Sequence, residues 1–197
     1  MDNELIEELD FLKETLIKSG FFDENEILEI IEEQFIDEEG IEFDKLDIVL
    51  SNPPNSNFSR LEDVFINLSK KGIIAIHNCG YNIEEGVNDA FELLVHIQNH
   101  NKDAIGFCFY TFEDIEEAIY ENKLKLTFGD FENDKSKALE IGMLIKEVLE
   151  DFNFNVSWDG TIDNQIEINP FVWDKKYDSN KEYEMEGAFE LFINNQV

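Results

Sequence analysis

Apolar residues recur along this chain in two arrangements, and the change from one to the other divides it. Over residues 3–18, Leu5, Leu9, Leu12 and Leu16 fall at i, i+4, i+7 and i+11, which is one face of a helix. Glu4, Glu7, Glu8 and Glu14 fill the other faces, and Ser19-Gly20 supplies a stop. Residues 24–38 repeat the pattern, with Ile27, Ile31 and Phe35 in line and Leu28 beside them. Asp23, with Glu26 three places on, reads as a capping box. Two acidic amphipathic helices joined by a short turn predict an αα-hairpin. Periodicity then fades over 41–58, and Ser51-Asn52-Pro53-Pro54-Asn55-Ser56-Asn57 has the composition of a linker. The boundary is predicted near residue 58, with an acidic helical region over 1–58 and a body over 59–197.

In the body, short apolar runs alternate with helical patterns. Ser59 opens a helix with Leu61, Val64, Phe65 and Leu68 inward, stopped at Gly72. Ile73–His77 reads as a strand, 84–99 as a helix, and Ala104–Tyr110 as a second strand. Thr111 with Asp114 resembles a capping box and opens the next helix. Leu124, Leu126 and Phe128 alternate with Lys125 and Thr127, as on a half-exposed strand. A long helix follows over 135–151. Val156 and Trp158, the turn Asp159-Gly160, and Ile166 with Ile168 predict a hairpin. Periodicity leaves Ala188–Ile193 open between strand and helix. The expected class is α/β or α+β, with helices packed on a four- or five-stranded mixed sheet.

Charge changes the range of partners. The chain of 197 residues holds 46 Asp and Glu against 15 Lys and Arg, a net charge of −31. Residues 1–50 alone carry 18 acids and 3 Lys. Such an excess bears on solubility and association rather than on fold. Phosphates would be repelled, which argues against nucleic acid and an anionic membrane. A basic protein partner remains, as does plain solvation of the surface. With 43% hydrophobic residues, 18 of the 197 being Phe, the chain is rich enough to bury a core and is no disordered polyacid. Two cysteines, Cys79 and Cys108, make no disulfide framework, so a reducing, cytoplasmic setting is expected. The start MDNELIEELD has neither the basic nor the apolar region of a signal peptide. No apolar run is long enough to span a bilayer.

Candidate chemistry is sparse. Ile76-His77-Asn78-Cys79-Gly80-Tyr81 leaves a strand and enters a loop before a helix, where α/β domains place ligands. His77 would serve as a general base, Cys79 as a nucleophile and Tyr81 as a donor. The alternative is a turn built by Asn78 and Gly80 over a buried, hydrogen-bonded His77. Cys108 lies in the β-prone run Gly106-Phe107-Cys108-Phe109-Tyr110 and reads as a core thiol. His96 and His100 share a helical face at i, i+4, but no CxxC or HExxH accompanies them, so no metal or cofactor is assigned. The acidic clusters Glu32-Glu33, Asp37-Glu38-Glu39 and Asp130–Asp134 do not match the EF-hand spacing.

Residues 60–173 resemble a family of bacterial domains of unknown function. The resemblance rests on Gly72-Ile73-Ile74-Ala75-Ile76-His77-Asn78-Cys79-Gly80-Tyr81 and on Gly106–Tyr110 followed by Asp114. It continues through Leu124-Lys125-Leu126-Thr127-Phe128-Gly129, Ile141-Gly142 and Trp158-Asp159-Gly160 ahead of Ile166-Glu167-Ile168. It implies a bacterial setting and a fold boundary but no mechanism, and it leaves residues 1–58 outside. A Thr or Ser helix cap is expected where this chain has Asn82-Ile83-Glu84-Glu85.

Two functional classes follow. The first is a non-catalytic acidic interaction protein, immunity- or inhibitor-like, that meets a basic partner through Glu29, Glu32, Glu33 and Asp37. Long-range attraction would speed that encounter. The second is a small enzyme or ligand-binding domain that uses the His77–Tyr81 loop with Tyr110 or Asp114.

Overall fold

The computed structural model describes residues 3–38 and 40–196. The chain divides into two compact units, one of residues 1–56 with 174–180 and one of 57–173 with 181–197.

The first unit is built on helices α1 (Asn3–Ser19) and α2 (Glu24–Gln34), which pack as a hairpin. The Asp23 side chain accepts from the amides of Asn25 and Glu26, and the Glu26 carboxylate accepts from the Asp23 amide, completing the capping box. Leu9, Leu16, Ile27 and Ile31 are buried along the predicted faces. Helix α2 stops at Gln34, short of the expected residue 38. Phe35 turns inward as the C-cap, its amide donating to Ile31 O, and is 6% exposed. Residues 174–180 complete this unit. Asp174 accepts from the Ser56 amide and hydroxyl, and Asn55 Oδ1 accepts from the Lys176 amide. Lys175, 1% exposed, donates from Nζ to Gly20 O at 2.6 Å and lies over the Phe21 ring.

The second unit is an α/β sandwich. Strands β1 (Ile73–Ile76), β2 (Gly106–Phe109), β3 (Leu124–Gly129), β4 (Val156–Ser157) and β5 (Ile166–Ile168) form one mixed sheet in the order β1-β2-β3-β5-β4. β1 and β2 run parallel, and the other neighbours pair antiparallel. Helices α3 (Ser56–Lys70), α4 (Ile83–Asn99), α5 (Phe112–Glu121), α6 (Lys135–Asp151) and α7 (Met185–Asn195) pack with it. Every residue of β1 and β2 is buried, as in a parallel strand pair covered on both faces, although β1 is the edge of the sheet. β3 alternates over its first half, Leu124 and Leu126 inward, as its pattern predicts. Gly106 admits no side chain, because a Cβ there would meet Ile141 and Gly129 O.

One local expectation is corrected, and one open element is settled. Asn82 itself caps α4, its Oδ1 accepting from the Glu85 amide, so a Thr or Ser is not needed. The tail, which periodicity leaves open, forms α7. Its buried Ala188 and Phe192 join the core around Ile74, Ile76 and Phe109.

Candidate functional sites

The loop after β1 is held against the segment after β2. The Cys79 amide donates to Tyr110 O, and the Phe112 amide donates to Gly80 O. Asn78 and Gly80 both take positive φ, 50° and 68°, which turns the chain twice within three residues. A Cβ on Gly80 would also press on Glu85 and the Gly86 amide. That path sends His77 and Cys79 inward and Tyr81 outward, so the three candidate side chains do not converge.

His77 is 5% exposed and enclosed by rings. Its Nδ1 stands 2.7 Å from the Tyr110 hydroxyl. Phe65 stacks on it at 4.2 Å between centroids, and Phe58, Tyr110 and Tyr183 meet it tilted or edge-on. Burial, with Tyr183 and Glu62 as lesser causes, pushes the Tyr110 hydroxyl well above its ordinary range. Tyr110 is therefore a neutral donor or acceptor for the imidazole. The Tyr183 hydroxyl and Lys181 Nζ both donate to Glu62 Oε1. This aromatic cage is a packed, satisfied polar core of the kind that fixes side-chain positions.

Cys79 is 2% exposed, and its Sγ donates to Gly86 O at 3.4 Å. Burial, reinforced by Asp89 and Glu184, raises the thiol far above its ordinary value, so a thiolate is disfavoured. Cys108 is fully buried in β2 and raised by burial alone. Both thiols are free, although Ala75 and Cys108 are register partners across β1 and β2. Tyr81 is half exposed and stacks loosely on Phe112. Its hydroxyl is raised by burial first, then by Glu116, Glu113 and Glu85.

Asn78 is 8% exposed, and its Nδ2 donates to Glu184 Oε1 at 2.9 Å. Among the described residues its Oδ1 has no hydrogen-bond partner. Sequence reasoning treats Asn78 as turn geometry only, and no local signal marks Glu184, 106 residues away, as its partner.

Asp114 has a second polar core. Its Oδ2 accepts from the Thr111 amide and hydroxyl, and Gln165 Nε2 donates to Oδ1 at 3.2 Å and to Thr127 Oγ1 at 3.0 Å. The predicted capping box is present and ties α5 to β3 and to the turn before β5. Burial raises the Asp114 carboxyl despite these bonds.

The acidic candidates lie elsewhere. Glu29, Glu32 and Glu33 are exposed on α2, and Asp37 is exposed in the turn beyond it. Among the described residues none of the four makes an ion pair. Glu29, Glu32 and Glu33 line an open depression of about 440 Å³ together with Ile36 and Phe43, and Ile36 is 77% exposed. Asp37 is not part of that lining. The Asp37–Glu39 cluster falls partly outside the described residues, at Glu39. Among the described residues no three His, Cys, Asp or Glu side chains form a group able to hold a metal ion. His100 Nδ1 is bonded to His96 O at 2.9 Å.

Residues 2–177 match the domain of unknown function DUF6891. The chain belongs to this family. The match takes in the residues on which the resemblance rests and extends it from residue 60 to residue 2, over the acidic hairpin. Helix α7 lies beyond the matched residues. No curated protein and no solved structure matches the chain. Among the described residues, no helix is long and apolar enough to cross a membrane.

Proposed function

We propose that this DUF6891 protein is a non-catalytic interaction protein that meets a basic protein surface with the acidic face of α2. The observation that carries the reading is the open depression beside α2, which Glu29, Glu32 and Glu33 line together with the exposed Ile36 and with Phe43. Exposed large apolar side chains ringed by charge are a feature of docking surfaces. Unpaired carboxylates supply the long-range field and the apolar centre supplies the contact. The work would be immunity- or inhibitor-like, occupying a basic surface of its partner in the cytoplasm. The alternative, an enzyme or ligand site at His77–Tyr81, draws less support. Its imidazole is bonded and stacked, its thiol is buried and protonated, and its phenol points away.

The test is affinity capture with the full chain at low and at physiological salt. The wild type should retain a basic protein at low salt and lose much of it as screening shortens to about 8 Å near 0.15 M. The E29K/E32K/E33K variant should not retain it. Retention by that variant, or loss on His77→Ala with salt-insensitive binding, would move the function to the loop.

A further inference from the structure

A second groove lies within the α/β unit, between α4 and α7. Its α4 side is Asp89, Glu92, Leu93 and His96, which fall at i, i+3, i+4 and i+7 and so share one face. Its α7 side is Met185, Glu186, Phe189 and Glu190. The groove is open to solvent, with a volume of about 590 Å³, within the range of sites that seat a side chain or a short segment.

The groove is sorted by polarity. Its floor is apolar: Leu93 is buried, and Met185 and Phe189 are half-buried against the core cluster. Its rim is acidic, with Glu92, Glu186 and Glu190 exposed and Asp89 half-buried. No Lys or Arg lines it. His96 stands 3.8 Å from Glu92, and the His100 ring meets Phe189 edge-on at 5.0 Å. The crowding of negative charge is felt within the groove: the Asp89 carboxyl is raised by burial, then by Glu92 and Glu85. A cation placed between the two helices would relieve that repulsion. A Met and a Phe beneath it would accept an apolar side chain of varied shape.

From the apolar floor and the acidic rim, we propose that the α4–α7 groove docks a basic amphipathic helical segment of a protein partner. An apolar anchor of that segment seats on Leu93, Met185 and Phe189, and Lys or Arg side chains three or four residues away reach Glu92, Glu186 and Glu190. Because α7 lies outside the DUF6891 match, half of the groove belongs to this chain and not to the family's matched region.

The experiment titrates the full chain into two fluorescein-labelled peptides of equal charge at about 0.15 M salt. One is an amphipathic Lys/Leu helix, and the other replaces every Leu with Gln. The Lys/Leu peptide should bind at least about tenfold more tightly, because only it can use the floor. Glu186→Lys with Glu190→Lys should weaken it by about tenfold or more, whereas Glu29→Lys with Glu32→Lys, the same change in net charge, should weaken it by less than about threefold. Equal binding of the two peptides, equal loss from the two charge reversals, or no binding at about 1 mM peptide would overturn the proposal. So would sedimentation showing a dimer that the α7 reversal dissolves, since a second copy would then be the occupant. The previous proposal is read by a different ligand and variant, the captured basic protein and E29K/E32K/E33K, so one can fail while the other stands.

Discussion

The α2 face of the acidic unit and the buried polar cores of the α/β unit use ionisable residues in opposite ways. In the first, Glu29, Glu32, Glu33 and Asp37 face water without ion-pair partners among the described residues, and the apolar core beneath is narrow, with Leu9, Leu16, Ile27, Ile31 and Phe35 buried. In the second, His77 and Asp114 are buried and bonded to Tyr110 and to Thr111 and Gln165. Outward carboxylates create a field at the cost of self-repulsion. Inward polar groups, once satisfied, act as struts and are costly to disturb. Residues that sequence reasoning offers as chemistry therefore include struts, and three of the acids that it offers to a basic partner line a depression together with an exposed Ile.

The contrast breaks most visibly at the aromatic cage. Phe65→Ala should cost about 3–5 kcal/mol, because Phe65 is fully buried and stacked on His77. Denaturant unfolding followed at the tryptophans, both in the α/β unit, measures it. A cost under about 1 kcal/mol would mean that the cage is loosely packed and that His77 is available for chemistry.

Tyr110→Phe keeps the ring and removes only the partner of His77 Nδ1. The expected loss is about 1–3 kcal/mol, the cost of an unsatisfied buried acceptor or donor. An unchanged stability would show that the hydroxyl bond contributes little and would reopen the loop as a site.

The buried carboxyls set a pH dependence. Asp114, Asp89 and Glu116 are all raised, chiefly by burial. With folded values above unfolded ones, the protonated forms favour folding. Their contribution is full below the ordinary carboxylate range and is lost as pH rises through the raised values. Stability should therefore increase as pH falls from 7 towards about 5. The exposed Glu121 and Asp159 carboxyls are lowered, by Lys123 and by Thr161 with Asn164, so they oppose this only at lower pH. Thermal midpoints in buffers of equal ionic strength check the sign, and a steady loss of stability over that window would contradict it.

The smallest effect belongs to the acidic unit. Reversing Glu29, Glu32 and Glu33 should change stability by no more than about 0.5 kcal/mol, as exposed substitutions do. A large loss would make these carboxylates structural. Removal of residues 1–56 is a related test: a chain beginning at Asn57 should keep a cooperative α/β unit, while residues 174–180, deprived of Ser56, Asn55 and Gly20, become sensitive to protease.

Much of this architecture is legible because it is local. The i, i+4 leucines of α1, the Asp23 and Thr111 capping boxes and the alternation in β3 each declare themselves within a few residues. What is not legible depends on distant partners. Phe35 leaves the helix because it packs inward, α7 is fixed by the core it covers, and Asn78 finds Glu184 across 106 residues. Of the site, the residues are visible in the loop sequence, but their directions are set by the positive φ at Asn78 and Gly80 and by the Tyr110 and Phe112 backbone.

The central claim is that the acidic unit acts through its field and the α/β loop through its packing. It is tested most directly by the association rate with the captured basic partner, measured across ionic strength for the wild type, E29K/E32K/E33K and His77→Ala. The account predicts a steep fall of the wild-type rate with salt, a slow and nearly salt-independent rate for the charge reversal, and a wild-type rate for His77→Ala wherever that variant is folded. Equal, salt-insensitive rates for the wild type and the reversal, with binding lost in folded His77→Ala, would contradict it.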